Sequence, residues 1–325
     1  MITSEQISVV IQGAYNPEIT PKTIESICKL LPESQIIFST WENTIIPGKI
    51  GKNIHVVFNK DPGAYEFNAP SGKLHNINRL IYSTQKGVEL VQCPYILKLR
   101  SDMCLNNTNF LKLFKYKDRC RDYKLFTNRI LVCDTFSLKF EENNEGQRHY
   151  RPFHISDWFY FGATEDIRKL YDIPLVREPE FTQWYKSHSM PKNKFHMNPR
   201  LWRKMTPEQY ITSTCAKKYF PQISFEDILD YNEQNIKQSE IFIANNFAIF
   251  PLCKLGASIL KPEYLNFKIS EYSVCKNGYY SEDVCKNDYS KYCRISLKNK
   301  IANYLINKIK RLSPPTHTHR NNRTF

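Results

Sequence analysis

Tyr95-Ile96-Leu97-Lys98-Leu99-Arg100-Ser101-Asp102 is the stretch that decides the fold. Tyr95 to Arg100 is a short, mostly apolar run, and Ser101-Asp102 closes it, so it reads as a strand entering a loop. Three runs of the same kind precede it. Ile7-Ser8-Val9-Val10-Ile11 ends at Gln12-Gly13, Gln35-Ile36-Ile37-Phe38-Ser39 leads into Thr40-Trp41-Glu42, and His55-Val56-Val57-Phe58-Asn59 is broken by Asp61-Pro62-Gly63. Helical periodicity fills the intervals. Thr23 to Leu31 carries Ile24, Ile27, Leu30 and Leu31 on one face and is stopped by Pro32, and Asn76 to Leu90 reads as a second helix. Strands alternating with helices imply parallel strands joined by crossover helices, a Rossmann-like α/β half. Ligands of such sheets bind beyond the carboxyl ends of the strands. Gln12-Gly13, Ser39 to Glu42 and Arg100-Ser101-Asp102 are therefore the first places to look for a site.

Further along, Asp157-Trp158-Phe159-Tyr160-Phe161-Gly162 reads as a strand ending in a Gly turn. Alternation places Trp158 and Tyr160 on one face and Phe159 and Phe161 on the other. Thr164 caps a short helix to Leu170, with Glu165 and Asp166 in its first turn. Residues 176–205 read as a polar, aromatic loop on the substrate side. Thr206-Pro207-Glu208 has a capping residue, Pro and then an acid, and opens a helix over 207–219. The expected organisation is a domain over residues 1–260, a basic extension over 261–312 and a disordered tail over 313–325. Within the extension, Leu297, Ile301, Leu305, Ile309 and Leu312 form an apolar stripe between lysines, a basic amphipathic helix over about 297–312.

Composition limits the function classes. The chain has 325 residues, 41% hydrophobic, with 20 Phe and 20 Tyr, which is enough apolar surface for a real core. No run of about 18 apolar residues is present, and the N-terminus lacks the basic and apolar stretches of a signal peptide. The expectation is a cytoplasmic protein. None of the ten cysteines falls in a C-x-x-C pair, so free thiols are expected rather than a zinc site or disulfides. The net charge is +14, and residues 289–325 contain nine Lys or Arg and no acid. Concentrated in one amphipathic tail and without a recognition motif, this charge does not read as a nucleic-acid surface. It reads either as peripheral docking on the anionic inner face of the membrane or as an apolar stripe packing on the main domain.

The strings Ile7 to Gly13, Ser39-Thr40-Trp41-Glu42, Asp61-Pro62-Gly63, Asn78-Arg79 with Ser83-Thr84, Leu97 to Asp102, Phe153 to Gly162 and Pro207-Glu208-Gln209-Tyr210 occur in a distinctive order. Over roughly residues 5–250 the chain resembles the WavE lipopolysaccharide synthesis family, whose members look like GT-A glycosyltransferases. The resemblance implies a GT-A fold: a mixed sheet flanked by helices, here with a C-terminal helical extension. It also implies a nucleotide-sugar donor, a lipid-linked or oligosaccharide acceptor and a role in bacterial surface polysaccharide such as lipopolysaccharide or capsule. Two other readings stand beside glycosyl transfer. One is transfer of a phosphorylated polyol or sugar from a nucleotide donor; the other is a non-catalytic GT-A-like assembly partner.

The resemblance also assigns residues. Arg100-Ser101-Asp102 lies where GT-A enzymes place a D-x-D motif, whose carboxylates hold a divalent Mn²⁺ or Mg²⁺ ion at the donor diphosphate. Here Arg100 replaces the first Asp, so Asp102 is a metal ligand, or Arg100 and Lys98 supply the positive charge themselves, or Asp102 merely turns the chain. Gln12 and Gly13 are expected against the nucleotide, and Arg79, on the helix before the Asp102 strand, toward the donor. Trp41, His154, Asp157 and Trp158 are expected at the acceptor, as stacking and hydrogen-bonding groups for a pyranose. Asp157 and Glu208 are the two candidates for the catalytic base.

Overall fold

The computed structural model describes residues 2–47, 54–66, 74–142, 146–189, 203–261 and 278–293. The first half runs β1 (Ile7–Gln12), α1 (Thr20–Leu30), β2 (Gln35–Trp41), β3 (Ile54–Asn59), β4 (Tyr65–Glu66), β5 (Leu74–His75), α2 (Ile77–Glu89) and β6 (Tyr95–Arg100). Next come β7 (Met103–Leu105), α3 (Asn109–Leu113), β8 (Ile130–Cys133), β9 (Phe140–Glu142), β10 (Arg148–Tyr150), β11 (Phe159–Ala163) and α4 (Thr164–Tyr171). The remainder is α5 (Trp184–Ser187), α6 (Pro207–Tyr219), α7 (Glu233–Asn246), β12 (Phe247–Phe250), α8 (Leu252–Leu255), β13 (Ala257–Ile259) and α9 (Glu282–Tyr292). The strands and helices expected between Ile7 and Arg100 are all present. Helix α1 begins three residues before Thr23, because Pro21 fits its first turn, where a missing N–H costs nothing.

Seven strands form one sheet in the order β12-β8-β11-β6-β1-β2-β3. All neighbours are parallel except β11, which runs antiparallel to both β6 and β8. This is the mixed α/β sheet flanked by helices that the sequence implied, and the single reversal decides what stands beside the end of β6. Because β11 points the other way, its start meets the carboxyl end of β6, with Phe159 opposite Leu99 and Tyr160 opposite Lys98. The segment His154 to Trp158 is thereby delivered beside Arg100.

Both faces of the sheet are covered. One core holds Val10, Ile37, Ile96, Val132 and Tyr160 against α2, α4, α6 and α7. The other holds Val9, Phe38, Leu97, Phe159 and Phe161 against α1, α3 and α8. Helix α2 lies so close to β1 that a Cβ on Gly87 would stand 2.5 Å from Val10 Cγ1. Trp158 departs from the expected alternation. It belongs to the core of Phe159 and Phe161, because the strand starts only at Phe159 and the pleat does not reach back to Trp158.

Residues 278–293, expected within the C-terminal extension, are built into the main core. Tyr280, Cys285 and Cys293 are buried. The Tyr280 N–H donates to the Ser137 carbonyl at 2.9 Å, and Lys139 Nζ joins Glu240 (2.8 Å) to Asp288 (2.9 Å). The helix expected over 297–312 and the tail over 313–325 lie outside the described residues. The nine cysteines among the described residues are free thiols, as expected. No helix among the described residues is long and apolar enough to cross a membrane.

Candidate active site at the carboxyl edge of the sheet

The loops after β1 and β6 are locked together. The Ser101 N–H donates to the Gln12 carbonyl at 2.9 Å, Ser101 Oγ donates to the Ala14 carbonyl at 2.7 Å, and Thr23 Oγ1 donates to the Ser101 carbonyl at 3.0 Å. Gly13 has φ 129°, which L-residues rarely adopt, and a Cβ there would lie 2.9 Å from Ser101 Oγ. Gln12 and Gly13 thus lie against the loop after β6, next to Arg100.

Arg100 is held from two directions. Its Nε and Nη2 donate to the two carboxylate oxygens of Asp102 at 2.8 and 2.5 Å, and its guanidinium stacks 4.4 Å from the Trp158 ring centroid. Phe136 packs on Trp158 with a centroid separation of 4.8 Å. Burial works against the charge of Asp102, but the Arg100 fork and Lys261 outweigh it and hold the carboxyl below its ordinary range. Both Asp102 oxygens are therefore engaged by a guanidinium. Among the described residues no group of three His, Cys, Asp or Glu side chains could hold a metal ion. The residues at this position do not fit a divalent-cation site; they fit a fixed guanidinium.

Beside Arg100, on the face of β6 that carries Ile96 and Lys98, lies a buried polar cluster. Lys98 is wholly buried, and its Nζ donates to the Asp157 main-chain carbonyl while lying 3.7 Å from Asp157 Oδ2. Burial lowers the Lys98 pKa to about 8, although Asp157 pulls it upward. Asp157 is 2% exposed, and burial, reinforced by the nearby Glu208 charge, raises its pKa against the pull of Lys98. Glu208, in the first turn of α6, is likewise raised by burial, with Arg203 and Arg151 opposing. His154 completes the group, its Nε2 3.8 Å from Glu208 Oε2, and burial followed by the Arg151 charge pushes it down to about 3. It is a neutral imidazole at ordinary pH. The structure therefore joins the two base candidates, Asp157 and Glu208, in one electrostatic unit with Lys98 and His154.

Two expected residues lie apart. Trp41 ends β2, three strand spacings from β11, roughly 14 Å at ~4.8 Å each. It shares the edge with Gln12 but not the group of His154, Asp157 and Trp158. Arg79 is committed to the loop after β3: Nε and Nη2 donate to Asp61 at 2.8 and 2.6 Å, and Nη1 donates to Asn76 at 3.0 Å. That loop is as far from Arg100 as Trp41 is from β11, so Arg79 orders the rim rather than touching the Arg100 group. Three residues escaped the sequence reading. Asp134 follows β8 at the same edge with its pKa raised by burial, Tyr160 lies against Lys98, and Phe136 backs Trp158 at φ 64°. Asp134 had a signal, an acid after the apolar run Ile130 to Cys133, but Phe136 had none, since nothing local marks a positive φ.

The fold and these residues define an α/β protein with an open mixed sheet and a cationic, aromatic site at its carboxyl edge. The family model of WavE lipopolysaccharide synthesis matches residues 7–313, well beyond the 5–250 span of the recognised strings. The chain belongs to the WavE lipopolysaccharide synthesis family. No curated protein matches the sequence. Among solved structures, 4-diphosphocytidyl-2C-methyl-D-erythritol synthase from Anaerococcus prevotii DSM 20548 is similar at 10% identity and TM-score 0.31, over 56% of this chain and 83% of that one. A cytidylyltransferase from Leptospira borgpetersenii serovar Hardjo-bovis (strain JB197) is similar at 14% identity and TM-score 0.30, over 53% of this chain and 66% of that one. At these scores neither neighbour carries an argument.

Proposed function

We propose that the chain is a GT-A glycosyltransferase that moves a sugar from a nucleotide-diphosphate donor to a hydroxyl of a growing bacterial surface polysaccharide. One observation carries the reading: a fixed guanidinium, Arg100, stands at the carboxyl edge beside Gly13, with two acids of raised pKa near it, Asp157 just before the neighbouring strand β11 and Glu208 in the first turn of α6. Membership of a lipopolysaccharide synthesis family supports it.

In this reading the nucleotide lies on Gln12-Gly13 and the diphosphate meets Arg100. The acceptor oxygen attacks the anomeric carbon, and the bond from that carbon to the diphosphate oxygen breaks. The bonding pair stays on the diphosphate, where the guanidinium offsets the new negative charge in place of a metal ion. The hydroxyl proton passes to Glu208, the more exposed acid of the pair. Asp157 and Lys98 lie deeper, and burial raises the Glu208 pKa against the Arg203 and Arg151 charges. Trp158, buried between Phe136 and Arg100, holds the guanidinium at the edge. The basic stretch over 297–312 would hold the protein at an anionic membrane surface, near a lipid-linked acceptor.

The test is thermal unfolding with UDP, GDP, CMP and their sugar conjugates, with and without Mn²⁺, followed by assay of nucleotide release with the responding donor. Saturating ligand at a hundredfold excess over its dissociation constant adds about 2.7 kcal/mol. The expected result is a shift with one nucleotide family that persists in EDTA and is lost in R100Q. A shift that requires Mn²⁺ would refute the guanidinium reading, and binding without turnover on any glycan acceptor would favour the assembly-partner reading.

A further inference from the structure

A second charged cavity lies at the opposite side of the sheet, three strands from β6. Strand β12 is the sheet's outer strand, and its flank is covered by α9 and by the stretch that runs out of α3. Between them is a cavity of about 530 Å³, lined by Lys112, Lys115, Lys117, Arg129 and Lys286 with Glu282 as its single acid. That acid is spent: it pairs with Lys254 at 2.6 Å and Lys286 at 2.9 Å. Lys112, Lys115, Lys117 and Arg129 pair with no carboxylate among the described residues.

Arg129 makes this more than a solvated basic surface. It is 8% exposed, its Nη1 reaches only the Phe247 carbonyl at 3.4 Å, and its guanidinium lies 4.7 Å from the Tyr289 ring centroid. Lys117 Nζ approaches the same ring at 5.3 Å. Burial, then the neighbouring Arg129, Lys286 and Lys115 charges, push the Lys117 pKa down. Like charges gathered around one cavity, one of them desolvated, are a cost unless an anion fills the space between them. Residues 294–325 contain eight Lys or Arg and no acid, so the following chain brings no countercharge.

We infer that the cavity between β12, α9 and the Lys112–Lys117 stretch is a binding site for a phosphorylated ligand. A phosphate or diphosphate group would sit among Arg129 and the three lysines, and the apolar lining of Leu131 and Phe250 would meet the body that carries it. The phosphate could be borne by a soluble saccharide or by a lipid headgroup, and the same chemistry serves both.

Calorimetric titration of inorganic pyrophosphate into the full chain at low salt tests this. It is done in the R100Q background, so that the carboxyl-edge cation does not contribute. The exposed triple variant K112S/K115S/K117S should weaken binding at least tenfold with an unchanged melting temperature, and R129Q should weaken it further. No binding in the parent, or equal affinity in parent and triple variant, would overturn the proposal. Vesicles with and without phosphatidic acid then locate the phosphate. Binding that falls in the triple variant assigns it to a lipid headgroup; vesicle binding that stays the same while pyrophosphate binding is lost assigns it to a soluble phosphosaccharide.

Discussion

Replacing Lys98 by Met tests the buried cluster most directly. The ammonium is wholly buried in the central strand, 3.7 Å from an Asp157 oxygen that has no hydrogen-bond donor among the described residues. Removing one partner of a buried pair leaves the other charge uncompensated, at a cost of about 3–5 kcal/mol. For a chain of this length that is a fall in melting temperature of roughly 5–10 °C. The pH dependence separates this cause from lost packing. Without Lys98, the raised pKa of Asp157 rises further above its unfolded value. Its contribution is then fully present below the unfolded carboxyl pKa and is lost as pH climbs through the folded one, so the K98M defect should deepen from pH 5 to pH 8. D157N should do the reverse. It leaves Lys98 with a folded pKa below about 8, so its penalty is present at neutral pH and is relieved as pH rises toward the unfolded lysine value. K98M/D157L, which removes both charges, should be more stable than either single variant. Urea unfolding of all four proteins at pH 5, 7 and 9 measures this. A K98M protein within about 1 kcal/mol of wild type and flat in pH would refute the reasoning.

Gly13→Ala forces a side chain into φ 129° and against Ser101 Oγ, so a loss of about 2 kcal/mol and of the nucleotide-induced melting shift is expected. S101A in the same chain should recover the steric part only, as calorimetry would show. His154 is held near pKa 3, so the unfolded chain binds more protons below pH 6.5 and stability is lost as pH falls through that range. H154Q should abolish about 1.4 kcal/mol of that loss per pH unit, read from urea midpoints at pH 7, 6 and 5. E208Q should lower kcat by roughly 10²–10⁴ and, by removing its charge, shift the Asp157 carboxyl resonance to lower pH; an unchanged kcat would remove Glu208 from the mechanism. A chain ending after Cys293, which keeps the buried Cys293, should retain its melting temperature and lose binding to anionic vesicles.

The parallel half was legible because its signals are local. Val9, Val10 and Ile11 in a row read as a strand buried on both faces, and Asp61-Pro62-Gly63 reads as a break in the chain, which Gly63 at φ 87° and its N–H on Asp61 Oδ1 at 2.9 Å provide. The second half hides its elements for a physical reason. Helix α7 buries Asn235, Gln238, Ser239, Asn245 and Asn246, so no apolar stripe marks its inner face. Those side chains are not core filler. Asn246 Oδ1 accepts from the Leu125 and Phe126 N–H groups at 2.8 and 3.1 Å, and Ser239 Oγ accepts from the Phe153 N–H at 2.6 Å. They satisfy the backbone of two irregular segments that no strand partner could satisfy, and hydropathy cannot register that work.

The same limit explains the uneven reading of the site. Arg100 and Asp102 are two residues apart, so their joint placement at a strand end follows from sequence alone. Asp157 and Glu208 are 51 positions apart, and only the reversal of β11 and the packing of α6 bring them within each other's field. Sequence could name each as an acid in a plausible local setting but could not tell that one raises the pKa of the other. What the three-dimensional arrangement adds is a relation between charges: a buried lysine opposes the rise in the Asp157 pKa, the neighbouring Glu208 reinforces it, and Glu208 is the acid closer to solvent. A base that must take a proton near neutral pH needs such a graded environment, because an isolated surface glutamate has too low a pKa to compete for it.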